Sequence, residues 1–222
     1  MRLAVKNNLG KSSGSVNVDD SVWGVSIKEG LVHQVAISQL NNLRQGNHES
    51  KRRRDAEYST AKVRPQKGSG RARLGGRASM LQGGSVAHGP HKKQYKDKIP
   101  AKVRRSALRM VLTDKIKTGD IYIIDELKTN SPSTKYVVSI LNELALSGKT
   151  LIVVDSVDQN LIKSVRNIPE TNLMQVSILN VLETVRNKNI VITKDAVKKI
   201  DQIWGSKTST KKETKNTVEG KV

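Results

Sequence analysis

Two rhythms of apolar and polar positions alternate along most of this chain, and one long stretch shows neither. Leu31, Val32, Val35, Ala36, Leu40 and Leu43 recur at helical spacing, which predicts a helix over Glu29–Leu43. The pattern returns only at Ala101. There Val103, Ala107, Leu108, Met110, Val111 and Leu112 mark a second helix, ended by Gly119. The second half contains short apolar runs at 121–124, 151–154, 175–178 and 190–192, which suit buried strands. Helical patterns lie at 134–146, 158–165 and 194–203, carried by residues such as Val137, Ile140, Leu161, Val165, Val197 and Ile200. Near the start, Arg2–Lys6 reads as a strand and 7–20 as a polar loop. Strands alternating with helices at this spacing imply right-handed crossovers. The expected fold is α/β: a mainly parallel open sheet with helices on both faces, of Rossmann-like topology. A long extended loop is inserted between the first two long helices, which are expected to pack side by side so that its ends start close together.

Charge explains why that loop lacks a pattern. Residues 51–105 carry 17 Lys or Arg against Asp55, Glu57 and Asp97, whereas the whole chain has a net charge of +20. Seven glycines and little that could form a core accompany them. Like charges repel, and glycine loses the most entropy on ordering, so the segment is expected to order against a polyanion rather than on itself. Residues 1–50 and 106–204 are nearly neutral. The organisation expected is therefore a globular α/β domain from 1–50 and 101–204, an RNA-penetrating loop at 51–100, and a disordered basic tail at 205–222. A cation-rich arm on a neutral body points to nucleic acid as partner.

Other chemistry finds little support. Without cysteine there are no disulfides or thiolate metal sites. No run approaches the ~18 consecutive apolar residues of a membrane span, and the start of the chain lacks the apolar core of a signal peptide. Asp125, Glu126 and Asp155 follow predicted strands, where an open sheet would bind a ligand. They read better as loop starts that help cap the next helices. Gly148-Lys149-Thr150 resembles the end of a phosphate-binding loop, but it opens a strand instead of a helix and reads as a turn. Gly68-Ser69-Gly70 has Arg73 where a dinucleotide fingerprint needs glycine. His88 and His91 have no nearby carboxylate or thiolate to complete a metal site, and His33 reads as structural. No catalytic set, metal, cofactor, membrane or small-molecule substrate is expected.

The cations themselves are the candidate site. Arg44 stands at the root of the arm, followed by the run Lys51, Arg52, Arg53 and Arg54. Lys62, Arg64, Lys67, Arg71, Arg73 and Arg77 alternate with small residues, and Lys92, Lys93 and Lys96 lie on the return. Arg guanidinium groups can stack on unpaired bases and grip phosphate with two hydrogen bonds. Tyr58 and Tyr95 are the only aromatics from 51 to 105, too few for a general single-strand platform. Lys102, Arg105 and Arg109 fall at i, i+3 and i+7 of the following helix with Arg104 beside them, forming a rigid basic face. Such an arm suits folded RNA better than a DNA groove, which calls for a recognition helix.

These residues resemble the large-subunit ribosomal protein L-four family in its bacterial form, over roughly residues 1–204. The resemblance rests on Leu31-Val32-His33-Gln34-Val35, Arg44-Gln45-Gly46, and Gln66-Lys67-Gly68-Ser69-Gly70-Arg71-Ala72-Arg73. Gly83-Gly84-Ser85-Val86-Ala87-His88-Gly89-Pro90 and Lys102-Val103-Arg104-Arg105-Ser106-Ala107-Leu108 add to it. It implies a cytoplasmic structural component of the large ribosomal subunit that binds large-subunit rRNA and supports assembly. The loop tip, Gln66 to Arg71, would reach the wall of the nascent-peptide tunnel, near the nascent peptide and a tunnel-lining neighbour among the other large-subunit proteins. Lys67 and its neighbours would influence macrolide binding. Some family members also repress their own operon by binding its messenger leader. The chain departs from the family at Val63-Arg64-Pro65 and near His88, where an aromatic is usual.

Overall fold

The computed structural model describes residues 1–72, 74–127 and 131–205. Arg73 and most of the expected tail, from 206 onward, therefore lie outside the described residues. Strands β1 (Arg2–Lys6), β2 (Ser12–Asn17), β3 (Ile121–Ile124), β4 (Thr150–Val154), β5 (Thr171–Gln175) and β6 (Asn189–Thr193) form one sheet in the order β2-β1-β3-β6-β4-β5. Only the β1–β2 pair is antiparallel. The helices are α1 (Asp20–Trp23), α2 (Glu29–Leu43), α3 (Ala101–Thr118), α4 (Thr134–Glu143), α5 (Gln159–Arg166), α6 (Val181–Arg186) and α7 (Lys194–Trp204). The chain forms two compact units, Leu40–Asp97 being one and the rest the other.

Alternation along the central strands separates the larger unit into two cores. Leu151, Val153, Ile190, Ile192 and Ile123 join residues of α3 and α7, including Leu112 and Ile200, on one face. Ile152, Val154, Val191 and Ile124 point the other way, onto Val137 and Ile140 of α4 and Leu161 and Val165 of α5. Each of these strand residues is at most 4% exposed. Burial on both faces is what a parallel sheet covered by helices requires, so the expected α/β class stands.

Two segments depart from the sequence reading. The expected loop at 7–20 contains β2 and leads into the short α1, which begins at Asp20. β2 has only Val16 buried along its length, and it forms by register with β1 through a turn in which Asn7 Oδ1 accepts from the amides of Leu9 (3.1 Å) and Lys11 (3.0 Å). The apolar run at 175–178 is not a strand. β5, at the sheet edge, ends on the first residue of that run, Gln175, and Val176–Ile178 is a 3-10 turn. That turn buries Val176 and leaves Ile178 63% exposed. The unpredicted α6 follows, capped by Asn180 Oδ1 on the amide of Glu183 at 2.8 Å.

The two ends of this unit are fastened together at Asp201 on α7. Its carboxylate accepts from Trp23 Nε1 at 2.6 Å and from the amide of Asp19 at 3.3 Å. Burial pushes the Asp201 carboxyl above its ordinary value, against the opposing effect of the Trp23 hydrogen bond. Asp19 is shifted downward, chiefly by the backbone hydrogen bond from Ser21.

Candidate nucleic-acid interface

In the smaller unit, α2 ends at Leu43 and the chain from 44 to 97 has no helix or strand among its described residues. It nevertheless pairs with itself. The amide of Lys93 donates to Gly46 O (3.3 Å), that of Ser50 to Pro90 O (2.9 Å) and that of Val86 to Lys51 O (2.9 Å). Two limbs thus run antiparallel. Gly46 is required there: its φ is +66° and a Cβ would collide with the Lys93 carbonyl. At the base, Asn42 exchanges hydrogen bonds with the backbone of Asp97 (2.9 and 3.2 Å) and Asn41 Nδ2 donates to the Asp97 carboxylate at 2.8 Å. The arm's ends therefore meet at Asp97, and Val35 of α2 shares a core with Leu108 and Leu112 of α3.

Both tyrosines of the arm are engaged by cations. The Arg44 guanidinium lies 3.9 Å from the Tyr95 ring centre, with Lys93 Nζ at 4.9 Å. Arg77 lies 3.9 Å from the ring centre of Tyr58, where the limbs give way to the tip. Such contacts contribute on the order of 0.5–1 kcal/mol each at exposed sites. Sequence reasoning counted these tyrosines only as too few to bind bases; their job here is to hold arginines. Carboxylates occupy a second group: Glu49 pairs with Arg52 (3.4 Å) and Lys92 (3.3 Å), and Asp55 with Arg54 (3.2 Å).

A third group has no acidic partner among the described residues. Arg53, Lys62, Arg64, Lys67, Arg71 and Lys96 are exposed cations without an ion pair, and Lys51 reaches only the carbonyl of Gly83, at 3.4 Å. Every residue from Gln66 to Arg71 is exposed, and Gly68 (φ +83°) and Gly70 (φ +61°) bend the tip through backbone angles that side chains disfavour. The structure thus sorts the predicted cations into those that build the arm and those left facing outward.

On α3, Lys102, Arg104 and Arg105 are exposed and unpaired among the described residues. Arg109, expected on the same face, is half-buried and donates to the Trp204 carbonyl at the end of α7. The last carbonyls of a helix lack partners within it, and a cation there also meets the negative end of the helix dipole. Arg109 therefore holds two helices together. α3 also borders a groove of about 360 Å³ with the 177–181 segment, none of which was a candidate site residue in the sequence.

The alternative chemistry stays unsupported by geometry. Asp125, Glu126, Asp155, Asp158 and Asp195 surround a cavity of about 110 Å³ at the carboxyl ends of the strands. No cluster of three or more residues suited to hold a metal occurs among the described residues. Asp125 and Asp155 do not cap helices as expected: Ser133 caps α4 (3.4 Å to the amide of Tyr136), and Asp155 pairs with Lys199 of α7. Gly148, at φ +86°, is a turn residue. His33, His88 and His91 are all exposed.

Comparison with known proteins adds a lineage to this geometry. The model of the ribosomal protein L4/L1 family matches residues 16–203. A protein of Dehalococcoides mccartyi named large ribosomal subunit protein uL4 is 37% identical over 208 residues, covering 93% of this chain and 99% of its own. Proteins of the same name from Heliobacterium modesticaldum and Carboxydothermus hydrogenoformans are 35% and 34% identical, each over 204 residues, 91% of this chain and 99% of the relative.

Proposed function

Since this chain belongs to the ribosomal protein L4/L1 family, we propose that it is a structural, non-catalytic constituent of the large ribosomal subunit and binds large-subunit rRNA through its arm. One observation carries the reading. Lys62, Arg64, Lys67 and Arg71 of the arm tip, and Lys102, Arg104 and Arg105 on the first turns of α3, are all exposed and have no acidic partner among the described residues. Arginines and lysines left in this state gain most from phosphate oxygens, because neutralising phosphates releases condensed counterions. The two paired limbs give the tip a fixed stem, so less ordering is needed when RNA is met.

The finer reading follows the family. The tip from Gln66 to Arg71 extends to the wall of the nascent-peptide tunnel, beside a neighbouring large-subunit protein and the nascent peptide. Lys62, Arg64 and Lys67 contact rRNA phosphates there, with Arg73 assigned the same role from sequence. Lys102, Arg104 and Arg105 anchor rRNA at the other unit. The protein accordingly resides with ribosomes in the cytoplasm.

Sedimentation of cell lysate through a high-salt sucrose cushion tests the assignment. Recovery in one-to-one ratio with the large subunit is expected, whereas a loose cationic binder washes off as salt rises. Release into the supernatant would overturn it. For the tip, deletion of residues 62–77 is expected to leave the protein in ribosomes and to change the response to tunnel-binding antibiotics. An unchanged drug profile in ribosomes shown to contain the deletion would remove the tunnel placement.

A further inference from the structure

We propose that the groove between the start of α3 and the 177–181 segment seats a single unpaired nucleotide of the RNA, base inward and phosphate outward; this rests on the RNA-binding reading above. The groove, about 360 Å³, has a floor of Leu108, Leu179, Val181 and Trp204, all buried, and no acidic residue in its lining. Its volume falls in the range of ordinary small-ligand sites. Arg104 and Arg105 stand at it, exposed and without an ion pair or hydrogen bond among the described residues.

The 3-10 turn supplies the other wall. Val176 is fully buried, yet two residues later Ile178 is 63% exposed and lines the groove. An apolar side chain in water beside an apolar floor and two free guanidinium groups presents two surfaces of different character. A flat base fits the first, and its phosphate meets the second through paired N–H donors. An unpaired nucleotide combines both features, and single-stranded positions are where proteins reach RNA bases at all. A basic peptide finds no carboxylate here.

Base preference follows from two amides. Gln39 Oε1 accepts from the amide of Leu182 and Asn180 Oδ1 from that of Glu183, each at 2.8 Å. Their oxygens are thereby committed, and their NH2 groups remain as donors with no partner among the described residues. Donors without acceptors favour a base edge bearing carbonyl oxygen, which uracil, guanine and cytosine have and adenine lacks, so adenine is the base least favoured.

The test uses the full chain and full-length large-subunit rRNA. A benzophenone amino acid in place of exposed Ser177 is irradiated in the complex, and affinity is measured across a salt series for Ile178→Ala and, separately, Arg104→Gln. Expected are a crosslink confined to one unpaired U, G or C, an affinity loss of about fivefold for Ile178→Ala with the salt slope unchanged, and a slope shallower by about one unit for Arg104→Gln. Crosslinks spread over base-paired rRNA, or an Ile178→Ala affinity equal to the parent's, would overturn the seat while salt-dependent binding kept the wider reading intact. Loss of salt-dependent rRNA binding by the parent chain itself would remove both.

Discussion

The sheet unit and the arm solve opposite problems with the same chain. In the first, Leu151, Ile152, Ile190 and Ile192 are at most 1% exposed and apolar burial supplies cohesion. Among the described residues of 40–97, only Gly46 and Ala56 are buried. There the limbs are held by backbone hydrogen bonds, one close backbone approach and three cation–π contacts, each worth about 1 kcal/mol or less. A segment held so weakly by apolar contact can leave its charges facing out, which a core cannot tolerate. Stability and RNA affinity should therefore reside in different residues.

The largest separation is expected from truncating the core. Leu151→Ala, on a fully buried side chain of β4, should lower unfolding free energy by about 3–4 kcal/mol. Urea titration reads this as a lower midpoint, and the folded fraction should bind rRNA as the parent does. Next comes the converse change. Replacing Arg53, Arg64, Lys67 and Arg71 with Gln should weaken rRNA binding by about 100-fold and flatten the salt dependence by roughly 0.7–0.9 per lost phosphate contact. The urea midpoint should move by no more than about 0.5 kcal/mol equivalent. A large stability loss in the Gln variant would erase the distinction between the two regions.

A smaller effect probes the stem. Arg77→Ala removes the guanidinium stacked on Tyr58 and should cost about 0.5–1 kcal/mol locally. Hydrogen exchange is the suitable readout, because the Val86 amide, bonded to Lys51 O, should exchange about threefold faster. Buried amides such as that of Ile190, bonded to Asp120 O, should not change. Equal acceleration in both units would mean that the arm and the sheet open together.

The same division governs what could be read from sequence. α2 and α3 were legible because a long 3.6-residue rhythm survives even where one side faces solvent. β4 and β6 were legible because burial on both faces leaves an unbroken apolar run. β2 was missed because an edge strand with Val16 as its one buried residue is defined by its partner β1 and a turn at Asn7, both non-local to its composition. The run at 175–178 misled because Val176 and Ile178 look alike in sequence, and only the 3-10 turn sends one inward and one out. In the arm, charge was legible and its sorting was not. Whether an arginine faces outward, like Arg71, or is held, like Arg77 on Tyr58 or Arg109 on Trp204, depends on which acceptors or rings the fold brings within reach.

The smallest effect expected lies within the sheet unit, at Asp201. Burial raises its carboxyl pKa in the folded protein, so the native state holds this proton at higher pH than the unfolded chain does. Its contribution to stability is then complete below the ordinary value of 3.8 and is lost as pH rises through the raised folded value. Asp201→Asn removes the titration while an amide oxygen remains to accept from Trp23 Nε1. Relative to the variant, the parent should lose stability as pH climbs from about 3.8, and the difference should become constant once the carboxyl is ionised in both states. Urea midpoints across this range measure that difference directly. Parallel profiles would mean that the hydrogen bonds from Trp23 and Asp19, which lower the pKa, fully offset burial. The rRNA affinity of Asp201→Asn should equal the parent's at every pH where both are folded, because this carboxylate fastens α7 to Trp23 and lies outside the set of exposed cations.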